Sequence, residues 1–157
     1  MGSRLFGLTV LMLLLSQSAP VLASHYPIEV VPFLEAGHRA KLAVLKVEDT
    51  EALLQALLTP KDRESASRKT GIEVGKLEEY SRLCDLLRVR GVGPKMARLL
   101  LLAGVSGIAG LRGQSAPDLM VKLRATNQQY GVSEILPQED TIKDWVQQAG
   151  TLDLILK

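Results

Sequence analysis

Four consecutive residues, Gly91-Val92-Gly93-Pro94, stand between two apolar, helix-forming stretches and leave the chain few ways to continue. A proline pre-sets the backbone for the first turn of a helix and lacks only an amide that such a position leaves unpaired anyway. Glycine admits positive φ and close backbone approach. The run Leu86-Leu87-Arg88-Val89-Arg90 before the turn and Lys95-Met96-Ala97-Arg98-Leu99-Leu100 after it therefore predict a helix ending near Leu87, a tight turn over Gly91 and Gly93, and a second helix starting at Pro94. Val92 is expected to point inward as a peg, with Ala97 small enough to let the two helices approach and Leu99 and Leu100 continuing the buried face. If Gly93 requires positive φ, a β-branched residue there should damage both the fold and anything the turn binds.

Helix signals recur along the rest of the chain. Thr59-Pro60-Lys61-Asp62 reads as an N-cap, a proline at the first helical position and an acid in the first turn, and Gly71 can close that helix. Ser115-Ala116-Pro117-Asp118 repeats the start signal, with Gly131 as a possible stop. Ile142, Trp145, Val146 and Ala149 recur at helical spacing and give a last helix its packing face before Gly150. Only Pro27 to Phe33 and Leu152 to Leu156 could be extended, as a short strand or an apolar strap. The class expected is all-α.

A shift of the chain by 58 residues sets Val31, Leu42, Leu45, Val47 and Leu53 against Val89, Leu100, Ala103, Val105 and Leu111, and Ala36 against Pro94. Two similar helical units would bury complementary faces that neither could bury alone. The division expected is a degenerate unit over about 30–80, a hairpin-bearing unit over about 81–150, together one compact domain within 24–150, and a tail over 151–157.

Arg4, the apolar run Leu5 to Leu15 and the small residues at Val21-Leu22-Ala23 read as an export signal over 1–23 cleaved after Ala23. The run is too short for an ordinary span of about 20 residues. The expected product is periplasmic or secreted and has no further membrane segment. Its lone Cys84 falls on the stripe Leu77, Tyr80, Cys84, Leu87 and reads as a buried, inert thiol.

One cysteine and two histidines supply neither a disulfide framework nor a four-ligand zinc site. No nucleophile elbow is present. Gly71-Ile72-Glu73-Val74-Gly75-Lys76-Leu77 lacks the spacing and the hydroxyl of a phosphate loop. His25 and His38 read as surface or structural histidines, and Glu78-Glu79 and Glu139-Asp140 as solvated helix faces, because adjacent helical residues do not face each other. No catalytic residue, metal site or cofactor is expected.

The segment around the turn closely resembles a helix-hairpin-helix motif: apolar, two residues, glycine, apolar, glycine, then alanine four residues later. The resemblance implies that hairpin amides at the start of the second helix hold a phosphate of duplex DNA without reading its bases. Unpaired N–H groups at a helix start do converge on an anion. Carried onto this chain, the motif gives Gly91, Val92 and Gly93 the backbone site and Lys95 and Arg98 the added charge, with Arg88 and Arg90 flanking.

Charge is distributed to match. Residues 24–80 hold eight basic and ten acidic side chains, 81–125 eight and two, and 126–157 two and five. The excess of six sits in Arg82, Arg88, Arg90, Lys95, Arg98, Arg112, Lys122 and Arg124 against Asp85 and Asp118, which favours a polyanion, although the same residues could simply solvate helix faces. No aromatic residue lies between Ser81 and Ala125, so no stacking platform for single-stranded bases is expected where the charge is. The first unit has Phe33-Leu34-Glu35-Ala36 where the second has Gly-Val-Gly-Pro, so at most one unit is a binding hairpin.

Over residues 28–149 the chain also resembles the bacterial domain of unknown function numbered 4332, through Thr59-Pro60 with Arg63, the Leu86 to Gly93 hairpin, Ala103-Gly104-Val105, Pro137 and Trp145. That resemblance implies paired helix-hairpin-helix-like units and no assigned catalytic residues. Two functional readings stay open: sequence-nonspecific binding of duplex DNA or another polyanion, and a non-catalytic interaction or scaffold module bound to a protein of the cell envelope.

Overall fold

At Thr59 the local sequence alone determines the geometry. Its hydroxyl accepts the Asp62 amide, and Asp62 Oδ2 accepts the Thr59 amide at 3.0 Å, a reciprocal capping box followed by Pro60 in the first turn. The computed structural model describes residues 25–157, so the expected signal segment lies outside the described residues. Eight α-helices follow one another there: α1 Ala36–Leu42, α2 Thr50–Gln55, α3 Pro60–Thr70, α4 Val74–Leu86, α5 Pro94–Leu102, α6 Gly107–Leu111, α7 Ala116–Tyr130 and α8 Glu139–Thr151. α3 and α7 begin at Thr59 and Ser115 and stop at the left-handed Gly71 and Gly131, as the caps predict.

Pro27 to Phe33 contributes a short 3₁₀ turn, Ile28–Val30, and an isolated bridge from Pro27 to Asp49 rather than a strand. Leu152 to Leu156 is a strap. The last helix runs past Gly150 to Thr151, because Gly150 sits on an exposed face where a missing side chain costs no packing.

α4 lies at the centre, against α2, α3, α5 and α6. That position explains why Leu77, Tyr80, Leu83, Cys84, Asp85 and Leu86 are all buried although they do not share one helix face. Tyr80 has no exposed surface, and its hydroxyl meets His38 Nδ1 at 2.7 Å, so His38 is a structural histidine of α1. Cys84 is buried among apolar neighbours; burial raises its thiol pKa, with Asp85 and Asp49 adding to the rise. Trp145 is buried on α8 with Ile142 and Ala149, and Val146 is half-buried.

Several features recur at the 58-residue shift read from the sequence. α1 and α5 start 58 residues apart, at Ala36 and Pro94. Lys46 and Gly104, the same distance apart, both adopt left-handed backbone, at φ 54° and 88°. Val31 and Val89, Leu42 and Leu100, and Leu53 and Leu111 are buried pairwise.

Two polar devices tie distant elements together. Ser106 gives α6 no side-chain cap; Asp85 on α4 supplies one from outside, its Oδ2 accepting the Ile108 amide at 2.8 Å. Gly107 must be glycine there, since a Cβ would stand 2.8 Å from that oxygen at φ 70°. Buried Arg63 on α3 donates to the carbonyls of Leu57, Leu58 and Lys157, which fastens the C-terminal strap to the first half.

Candidate nucleic-acid interface

The turn between α4 and α5 is built from three features. Gly91 takes φ 88°, which L-residues rarely adopt, and a Cβ there would come 3.1 Å from Trp145 Nε1. Val92 is buried as the expected peg, and its amide donates back to the Val89 carbonyl at 3.0 Å. Gly93 is the residue before α5, at φ −86° and ψ 174°: ordinary extended backbone. The condition of positive φ, under which a β-branched residue at Gly93 was expected to be damaging, is therefore not met. Only Gly91 makes the reversal, and a Cβ at Gly93 would merely touch the Tyr26 hydroxyl at 3.7 Å.

The expected set of hairpin amides changes accordingly. Val92 spends its N–H inside the turn and cannot offer it outward. The amides of Gly91, Gly93, Lys95 and Met96 have no acceptor among the described residues. Of these residues Gly91 and Lys95 are exposed, and Gly93 and Met96 are half-buried.

Of the basic side chains expected here, Arg90, Lys95 and Arg98 are exposed and take no part in an ion pair among the described residues. Arg88 is a correction. Its Nη1 donates to buried Asp85 at 2.7 Å and its Nη2 to the Asp153 carbonyl at 3.1 Å, because a carboxylate taken out of water needs a charged partner. Arg82 pairs with Glu78, whose carboxyl it holds below the usual range, and donates to Ser106. Arg112 donates to the carbonyls of Ala149 and Leu152. Three of the eight basic residues of segment 81–125 are thus occupied in holding the fold, while the three nearest the turn in sequence after Arg88 stay available.

α8 braces the turn from behind. Gln148 accepts the Arg90 amide at 2.9 Å, donates to the Arg90 carbonyl at 3.2 Å, and also bonds Asp144. The sequence gives no sign of Gln148: it lies 58 residues from Arg90, on the polar side of α8.

Aromatic groups missing from segment 81–125 arrive through the fold. A cleft beside Pro94, Lys95 and Arg98 is also lined by Pro32, Phe33, Tyr130 and Val132. Tyr130 is 55% exposed at the end of α7. The loop beyond it is folded back by Asn127, which donates to the Ser133 carbonyl at 2.8 Å and accepts the Ser133 amide at 2.9 Å. The expectation that no aromatic surface stands beside the charge is therefore overturned by residues that lie outside the charged segment in sequence.

Among the described residues there is no group of three metal-ligating side chains and no helix long and apolar enough to cross a membrane. His25 meets Glu51 at 3.2 Å, and the two share a cleft with the buried Cys84 but with no second histidine.

The fold and this turn define an all-α protein with a glycine-turned pair of helices. Residues 33–152 match the family described as Domain of unknown function (DUF4332), and the chain belongs to that family. No curated protein and no solved structure matches it.

Proposed function

We propose that the chain is an exported, non-catalytic protein of two helix-hairpin-helix-like units, whose second unit binds the phosphate backbone of duplex DNA, or of a similar polyanion, without sequence specificity. The observation that carries this reading is the coincidence, around the turn and the first half of α5, of amides without acceptors and of Arg90, Lys95 and Arg98 without acidic partners among the described residues. Amides at a helix start carry partial positive charge, and free cations beside them add the long-range attraction that a phosphate ladder rewards. Neither feature reads a base edge, so binding is indifferent to sequence. In the first unit, Glu35 occupies the position before α1 and pairs with Lys76, which disfavours a phosphate there.

Titration with random-sequence duplex DNA tests the reading. Affinity should fall linearly with salt on logarithmic axes, and Lys95→Glu with Arg98→Glu should weaken all sequences alike and reduce the slope by about two, one for each cation lost. The double variant should stay folded, since exposed helix charges contribute within about 0.5 kcal/mol. Unchanged affinity removes the hairpin from the interface, and no binding by the unaltered protein at low salt favours an envelope protein partner instead. Loss of residues 1–23, read by mass spectrometry on protein from its own cells, tests export.

A further inference from the structure

We propose that the cleft beside the hairpin receives the base of an unpaired nucleotide, so that the protein prefers duplex carrying a single-stranded extension to flush duplex. This rests on the backbone-binding reading above and adds a second contact to the same site. The cleft, of about 230 Å³, is lined by the apolar Pro32, Phe33, Pro94 and Val132, by Tyr130, which is exposed, and by the basic Lys95 and Arg98. No acidic residue lines it. Farther along α5, Arg98 also borders a second groove with Glu35, Lys76 and Glu79; there Lys76 bonds both carboxylates, so opposite charges offset one another. The cleft at the turn, by contrast, has basic residues and no acidic one in its lining.

A ligand that satisfies this cleft must bring a flat apolar face to Tyr130 and an anion to Lys95, Arg98 and the amides of α5. A nucleotide carries both groups on one unit. Stacking on an aromatic ring tolerates any base, because every base has a π-face, and it agrees with a site that reads no base edges. Bases inside an intact duplex are already stacked and paired, and extracting one costs free energy that an unpaired base at an extension has already met. The aromatic residue is positioned in advance: the Asn127–Ser133 pair fixes the loop that follows Tyr130.

The test compares, by fluorescence anisotropy on the whole protein, a blunt duplex with the same duplex bearing a short single-stranded extension, and with one whose extension lacks its bases. The extended duplex should bind about fivefold or more tightly than the blunt one, the effect of stacking a single base, and the abasic extension should lose that gain. Tyr130→Ala should abolish the preference and leave blunt-duplex affinity unchanged, with folding checked by circular dichroism. Lys95→Glu with Arg98→Glu should weaken all three DNAs. Equal affinity for blunt and extended duplex overturns the base-binding cleft while backbone binding stands. A preference that survives in Tyr130→Ala or with the abasic extension overturns it too, and failure to bind any of the three DNAs removes both readings.

Discussion

Gly91 and Gly93 look alike in the sequence but differ in what they require. At Gly91 an alanine would have to hold φ near 88° and crowd Trp145 Nε1 at 3.1 Å. Left-handed backbone costs an L-residue about 1–2 kcal/mol, and the contact adds to it. Gly91→Ala should therefore lower stability in urea by about 1–3 kcal/mol, whereas Gly93→Ala, on extended backbone with only a 3.7 Å neighbour, should cost under about 1 kcal/mol. Equal costs would show that the turn is held in some other way. The reverse substitution belongs to the other half of the molecule: Lys46 pays for left-handed backbone at the position where Gly104 does not, and Lys46→Gly should stabilise by up to about 1 kcal/mol. The turn is legible in the sequence because glycine and proline act on their own backbone. The division of work between the two glycines is not, since it depends on Trp145 and Tyr26, which arrive from elsewhere in the chain.

The helices whose starts were legible are those whose caps are local. Thr59 and Asp62 are three residues apart and satisfy each other, and the Thr59 hydroxyl and amide hold the Asp62 carboxyl below its ordinary value of 3.8. Because the folded value lies below the unfolded one, the capping box contributes stability that is full above the unfolded value and is lost as pH falls through the folded value. The acid limb of urea stability should consequently be less steep in Asp62→Asn than in the unaltered protein; an unchanged limb would assign acid sensitivity to other carboxylates. α6 shows the opposite case. Five residues long, it has no cap of its own and depends on Asp85, 23 residues earlier, for its Ile108 amide. No periodic pattern announces such a helix, and Asp85 read in sequence is only one of two acids in a basic segment. The same holds for Arg88: its place beside the hairpin was legible, but its commitment to Asp85 was not. Cys84 gives α4 a direct reporter of this packing. Its burial and raised thiol pKa should prevent labelling by a bulky thiol reagent in native buffer, and reaction should begin only as the core opens in denaturant.

At the scale of the whole molecule, the 58-residue correspondence shows why the all-α class was readable while the closure of the domain was not. Repeated apolar positions specify two similar sets of helices, but the groups that join the sets are polar and non-periodic. Arg63 is the principal one: it starts in the first half and ends on Lys157, beyond the second. The strap it holds also receives Arg88 at Asp153 and Arg112 at Leu152, so the tail connects α3, the hairpin and the segment after α6. Replacing Arg63 by methionine would keep much of the volume and remove every donor. The Leu58 carbonyl would still accept the Lys157 amide at 2.9 Å, but those of Leu57 and Lys157 would lose the guanidinium. The Leu57 carbonyl, in the core, would be the buried orphan and the exposed Lys157 oxygen could turn to water, which sets an expected cost of about 1–3 kcal/mol. Arg68→Met, on the exposed side of the same helix, should change stability by less than about 0.5 kcal/mol. Hydrogen exchange gives the decisive comparison. If the strap couples the halves, Arg63→Met should speed exchange at the Lys157 amide and also at the Arg90 amide, which reaches the strap through neighbouring Arg88, bonded to Asp153, and through Gln148 on α8. Acceleration confined to Lys157 would mean that the strap is a local latch whose loosening does not reach the hairpin.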